Sequence, residues 1–87
     1  MYASILWGDR EHATGDVEAL WQQVMAQPGL VNAYVLENVE DMRDGLVLSV
    51  WESEEAFNHY AASTLREQVE SVGALDRKNY FVLRAAV

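Results

Sequence analysis

His59 and Tyr60 stand side by side in the run EEAFNHYAAS, and they are the first residues in this 87-residue chain whose types suggest chemistry. An imidazole titrates near neutral pH and could take a substrate proton. A phenol beside it could hydrogen-bond a substrate oxygen. Each has a plainer reading. His59 falls one residue off the Phe57–Tyr60 stripe, where solvent would claim it. A buried tyrosine commonly settles its hydroxyl on a nearby backbone group. His12, the other histidine, lies in a polar connection. Neither imidazole has carboxylates at metal-ligand spacing, and the adjacent pairs Glu54-Glu55 and Glu40-Asp41 suit helix capping and solvation better than a cation cage. No metal site is expected. There is no cysteine, so thiol chemistry and cysteine-based metal sites are excluded. No nucleophile elbow and no phosphate-binding glycine loop occurs.

A second group is spread along the strand-like segments. Ser4, Asn32, Tyr34, Ser49, Trp51 and Arg84 each fall on the less aliphatic face of their segment. Polar groups scattered among aromatics are what a small-molecule cavity needs. Arg84 could pair with an anionic ligand oxygen. Trp51 reads either as a pocket wall against an aromatic ligand or as a core anchor. The group as a whole could instead form a wet subunit interface or an internal hydrogen-bond network. The candidate site is therefore Tyr60 and His59 as catalytic groups, with Asn32, Tyr34, Ser49, Trp51 and Arg84 as substrate-binding groups.

The elements that must position these residues follow from periodicity. Tyr2–Asp9 alternates as a first strand. Val17, Leu20, Trp21, Val24 and Met25 form one apolar stripe on a helix capped at Asp16 and stopped by Pro28-Gly29. Leu30–Asn38 is a second strand. The acidic loop Glu40–Gly45 ends in the hairpin dipeptide Asp44-Gly45 and leads into a third strand, Leu46–Trp51. Ser53 caps the next helix, with Glu54 and Glu55 meeting the positive end of its dipole. Ala56, Phe57, Tyr60 and Ala61 then repeat at helical spacing. Thr64 and Glu67 have capping-box spacing and open a further helical segment, closed by Gly73. Lys78–Val87 alternates as a fourth strand. The order β-α-β-β-α-β predicts an α+β, ferredoxin-like domain with a four-stranded antiparallel sheet, spanning 1–87 as one unit.

Two helices cover one face of such a sheet, yet every strand carries large apolar residues on both faces. About half of the residues are apolar, and a bare face would exceed the patch a monomer tolerates. A homodimer, sheet against sheet with the helices outside, is the expected remedy. Fourteen acids against six bases give a net charge of −8. That argues against nucleic acid, whose phosphates demand cations, and against anionic membrane surfaces. No apolar run approaches the ~18 residues of a membrane span, and the start lacks a basic signal-peptide region. A cytoplasmic location is the expectation.

The stretch Trp51–Ser63 carries a resemblance. A strand-end Trp51, then Glu52-Ser53-Glu54-x-Ala56-Phe57, an aromatic Tyr60 three residues on and Ser63 together resemble the antibiotic biosynthesis monooxygenase family of the dimeric α/β-barrel superfamily. Pro28-Gly29 and the hairpin after it fit as well. The resemblance implies oxygen chemistry on an electron-rich aromatic held between sheet and helices, without metal or flavin. In the haem-degrading branch of that superfamily, an Asn on strand one, a Trp on helix two and a His ten residues further on form the site. Here the first strand has no Asn, the Trp position is Tyr60, and Glu70 stands where the His would be. Haem degradation is not expected, and no cofactor is.

Three functions remain open on these grounds. One is a small dimeric monooxygenase for a quinol-type aromatic. Another is a non-catalytic ligand-binding or stress-related module of the same fold, or an isomerase or cyclase. The third is a purely structural association domain.

Overall fold

The computed structural model describes residues 1–9, 17–41, 43–70 and 74–84. Seven elements follow in order: β1 (Tyr2–Asp9), α1 (Val17–Met25), β2 (Leu30–Glu37), β3 (Asp44–Trp51), α2 (Glu54–Ala61), α3 (Thr64–Glu70) and β4 (Ala74–Phe81). The strands form one antiparallel sheet in the order β2-β3-β1-β4. This is the expected ferredoxin-like α+β arrangement, with the second helical stretch broken into two.

The local rules read from the sequence operate at α2. Ser53 is its N-cap, and its Oγ accepts the Ala56 backbone N–H at 3.1 Å. Glu54 and Glu55 occupy the first turn, and Phe57 and Tyr60 are its buried residues. The turn after α1 depends on Gly29, which has φ +82°. A Cβ there would lie 2.5 Å from the Ala56 Cβ. The Gly29 carbonyl accepts the Glu52 N–H at 2.8 Å, so one glycine ties the end of α1 to the entrance of α2.

Four expectations change. The fourth strand runs Ala74–Phe81 rather than Lys78–Val87. Among the described residues it pairs only with β1, in a register that sets Phe81 opposite Tyr2. Beyond that point the ladder has one further bond, Val82 N–H to the Met1 carbonyl at 2.9 Å, and then its partner strand runs out. Arg84 therefore lies past the sheet, exposed. Asp44-Gly45 is not the hairpin tip but the start of β3, paired with Asp9 and Gly8. The tip lies earlier, closed by Asn38 N–H to the Asp44 carbonyl at 2.9 Å. The cap of α3 is Ser63, whose Oγ accepts the Arg66 N–H at 3.4 Å, rather than Thr64. Met25 is exposed although it continues the α1 stripe. The expected Asp16 cap, His12, the Gly73 stop and Ala85–Val87 lie outside the described residues.

Cross-strand partners share a sheet face. One face carries Tyr2, Ser4 and Leu6 of β1 with Trp51, Ser49 and Val47 of β3 and Phe81, Asn79 and Arg77 of β4. The helices cover this face, and the buried core Tyr2, Leu6, Val24, Trp51, Phe57, Tyr60, Leu65 and Val69 lies between. The opposite face carries Ala3, Ile5 and Trp7 with Val50, Leu48 and Leu46 and, from β2, Asn32, Tyr34 and Leu36.

Candidate functional site

Trp51 is fully buried, at 0% exposure, and anchors the site. Its indole stacks on Tyr60 with centroids 5.1 Å apart and planes 23° from parallel, and meets Phe57 edge-on at 5.8 Å. Burial of an indole N–H demands an acceptor. Ser49, two residues back on the same strand face, supplies it: Trp51 Nε1 donates to Ser49 Oγ at 3.0 Å, and Ser49 Oγ approaches the Ser4 carbonyl at 3.4 Å.

Across β1, Arg77 completes the polar row. Its Nη1 donates to Ser4 Oγ at 2.5 Å and its Nε to Glu70 Oε1 at 2.9 Å. The guanidinium carbon sits 5.4 Å from the Phe57 ring centroid, a cation–π contact. Glu70 is shared, because Arg66 Nε also approaches the same oxygen at 2.9 Å. Two arginines around one carboxylate leave a local positive excess inside an acidic chain.

Leu6, Trp21, Val24, Val47, Ser49, Trp51, Tyr60, Val69 and Arg77 line a cavity between the sheet and the helices. It measures about 10 Å³ as the space open to the centre of a water molecule, about what one water needs. Burial pushes the Tyr60 phenol above its ordinary pKa of 10.0, while the charge of Arg77 and a hydrogen bond from it pull the other way. The phenol is thus a proton donor near neutral pH, not a base.

The sequence-selected residues separate. Ser49, Trp51 and Tyr60 come together at the cavity, and Ser49 Oγ reaches the Ser4 carbonyl beside it. Asn32 and Tyr34 are exposed on the opposite sheet face. A register shift between Leu30 and Asn32 puts an extra residue in β2, and such a bulge moves the following side chains to the other face. His59 is exposed on α2 and Arg84 lies beyond β4; neither lines the cavity. Arg77 and Glu70 were not singled out as site residues. The alternation Leu75, Arg77, Asn79, Phe81 was the available signal for Arg77, obscured by starting the strand at Lys78. Glu70, at the place of the haem-degrading branch's histidine, is committed to the arginines, which does not suit an iron ligand. Among the described residues no group of three or more His, Cys, Asp or Glu side chains could hold a metal ion. Among them, too, no helix is long and apolar enough to cross a membrane.

A four-stranded antiparallel sheet with a small, mainly apolar cavity beneath its helices, into which Ser49, Tyr60 and Arg77 bring polar groups, defines a small ferredoxin-like α+β protein. The sequence profile of the antibiotic biosynthesis monooxygenase family matches residues 7–70, and the chain belongs to that family. None of the curated proteins matches it in sequence. Among solved structures it is similar to SnoaB from Streptomyces nogalater, a cofactor-independent oxygenase, with TM-score 0.74, 14% identity and coverage of 98% of this chain and 95% of that one. It is also similar to Rv0793 from Mycobacterium tuberculosis, with TM-score 0.71, 14% identity and full coverage of both chains. A conserved protein from Methanosarcina mazei Go1 superposes with TM-score 0.66 and 9% identity, over 91% of this chain and 87% of that one. At such identities these likenesses establish the fold.

Proposed function

We propose that the chain is a dimeric monooxygenase that oxidises a quinol-type aromatic in the cavity between sheet and helices, with no metal or flavin. The observation that carries this reading is the buried row Trp51–Ser49–Ser4–Arg77 running beside the stacked Trp51 and Tyr60 rings. Aromatic walls suit a flat ring, and a guanidinium favours the anionic form of its hydroxyl. The substrate loses a proton to solvent and Arg77 stabilises the resulting oxyanion. Dioxygen then takes its electrons from the substrate alone: one oxygen atom enters the ring system, and the other leaves as water with the two substrate hydrogens. Tyr60 donates a hydrogen bond to a substrate oxygen. SnoaB, described as a cofactor-independent oxygenase, has this fold, which supports the reading.

The second subunit belongs to the same proposal. Tyr34, Leu36 and Tyr80 are large apolar residues exposed on the sheet face away from the helices, and a second copy laid on that face would cover them.

The test is oxygen uptake with a dihydroxyaromatic substrate. Wild type should consume oxygen, and Arg77→Gln should lower kcat by about 10²–10³, the usual effect of removing an oxyanion donor. Uptake that is absent in wild type, or unchanged in a folded Arg77→Gln variant, sinks the proposal. One observation favours the structural association domain instead: the cavity that Trp51 and its neighbours line measures only about 10 Å³. Binding of no aromatic ligand by an intact dimer would select that reading.

A further inference from the structure

We infer that Glu70 is a positioning residue: by accepting from Arg77 Nε, it holds the guanidinium against Ser4 in the cavity that Tyr60 also lines, and so fixes where a substrate oxyanion can sit. The inference rests on the oxygenase reading for its use, but not for its geometry. Arg77 is anchored at two points, Glu70 Oε1 at 2.9 Å and Ser4 Oγ at 2.5 Å, from α3 and β1 respectively. These fix a long side chain whose face also lies over Phe57 of α2. Three elements besides its own strand therefore converge on one cation. A carboxylate is the natural clamp, because a charge-assisted bond at Nε, together with the Nη1 bond to Ser4 Oγ, fixes the plane of the guanidinium. Arg66 approaches the same carboxylate from α3 itself, which keeps Glu70 from neutralising Arg77 completely. Across the cavity, the charged groups that act on Tyr60 are Arg66 and Glu70 from α3 and Arg77 from β4. The described cavity residues of α1, Trp21 and Val24, carry no charge, and those of β1 and β3 carry none.

The tyrosine itself reports the clamp. As a direct neighbour, the Glu70 charge raises the phenol's pKa, while Arg77 lowers it more strongly and by two routes, charge and hydrogen bond. A Glu70 that only adds its charge gives one sign on removal: Tyr60 titrates lower. A Glu70 that holds Arg77 gives the other. Arg77 swings away, its larger influence is lost, and Tyr60 titrates higher.

The experiment is an ultraviolet tyrosinate titration of the full chain, with Tyr60→Phe subtracted to isolate this phenol from the other three tyrosines. Glu70→Ala, which leaves no acceptor for Arg77 Nε, is expected to move the Tyr60 midpoint upward, and in the Arg77→Gln background the same change should lose that rise. Glu70→Asp keeps the charge but shortens the reach, so it too should shift Tyr60 upward, and it serves if the alanine variant does not fold. A downward or absent shift in a folded Glu70 variant overturns the inference. Activity is scored separately. A wild type without oxygen uptake but with the upward shift defeats the oxygenase reading and leaves the clamp standing, whereas uptake without the shift does the reverse.

Discussion

Trp51 Nε1 donates to Ser49 Oγ at 3.0 Å, and the two residues stand two apart on one strand, one fully buried and the other 7% exposed. The strand's own period of two places them on the same face, so β3 carries both the aromatic wall and the acceptor that makes its burial tolerable.

Removing that acceptor leaves a buried indole N–H without the partner that satisfies it. Ser49→Ala should destabilise the fold by about 1–3 kcal/mol, read from urea unfolding of the purified chain. Stability equal to wild type would mean that another acceptor serves the indole.

Gly29 supports a second prediction. It has φ +82°, and a Cβ there meets the Ala56 Cβ at 2.5 Å. Both backbone strain and overlap act on Gly29→Ala, which should cost about 2 kcal/mol or more. The overlap is specific to Ala56, so Ala56→Gly should recover part of the loss in the double variant. Thermal melts of the four proteins of this cycle check it.

Much of this was legible in the sequence, and the failures have physical causes. The Ser53 cap and the Phe57–Tyr60 stripe are local, and local rules found them. The limits of β4 are set by β1, its only partner strand among the described residues, which starts at Tyr2. The alternation of Phe81, Leu83, Ala85 and Val87 carries no information about that. The bulge in β2 is likewise a matter of pairing, and it alone separates Asn32 and Tyr34 from Trp51. Arg77 lies just before the strand expected from Lys78 on, and its partners, Ser4 and Glu70, are brought to it only by the fold.

The Tyr60 phenol makes stability depend on alkaline pH. Its folded pKa is raised, first by burial, so the native state holds this proton more tightly than the unfolded chain does. The contribution is fully present below the unfolded value near 10.0. It is lost as pH climbs past that value and through the raised folded one. Unfolding midpoints measured from pH 8 upward should fall more steeply in wild type than in Tyr60→Phe. Parallel curves would show that burial does not perturb the phenol.

A cavity of about 10 Å³ admits a ring only if one of its walls moves. Trp21 lines it from α1 and is only partly buried, so it is the aromatic wall most readily removed without exposing the Trp51–Tyr60 stack. Trp21→Ala should open the space its indole fills, and cavities made by such truncations accept apolar ligands. Binding of a two-ring hydroxyaromatic, followed by quenching of the remaining tryptophans, should then tighten relative to wild type. Weaker binding would mean that the indole is part of the ligand's own contact surface and that wild type opens by moving it aside.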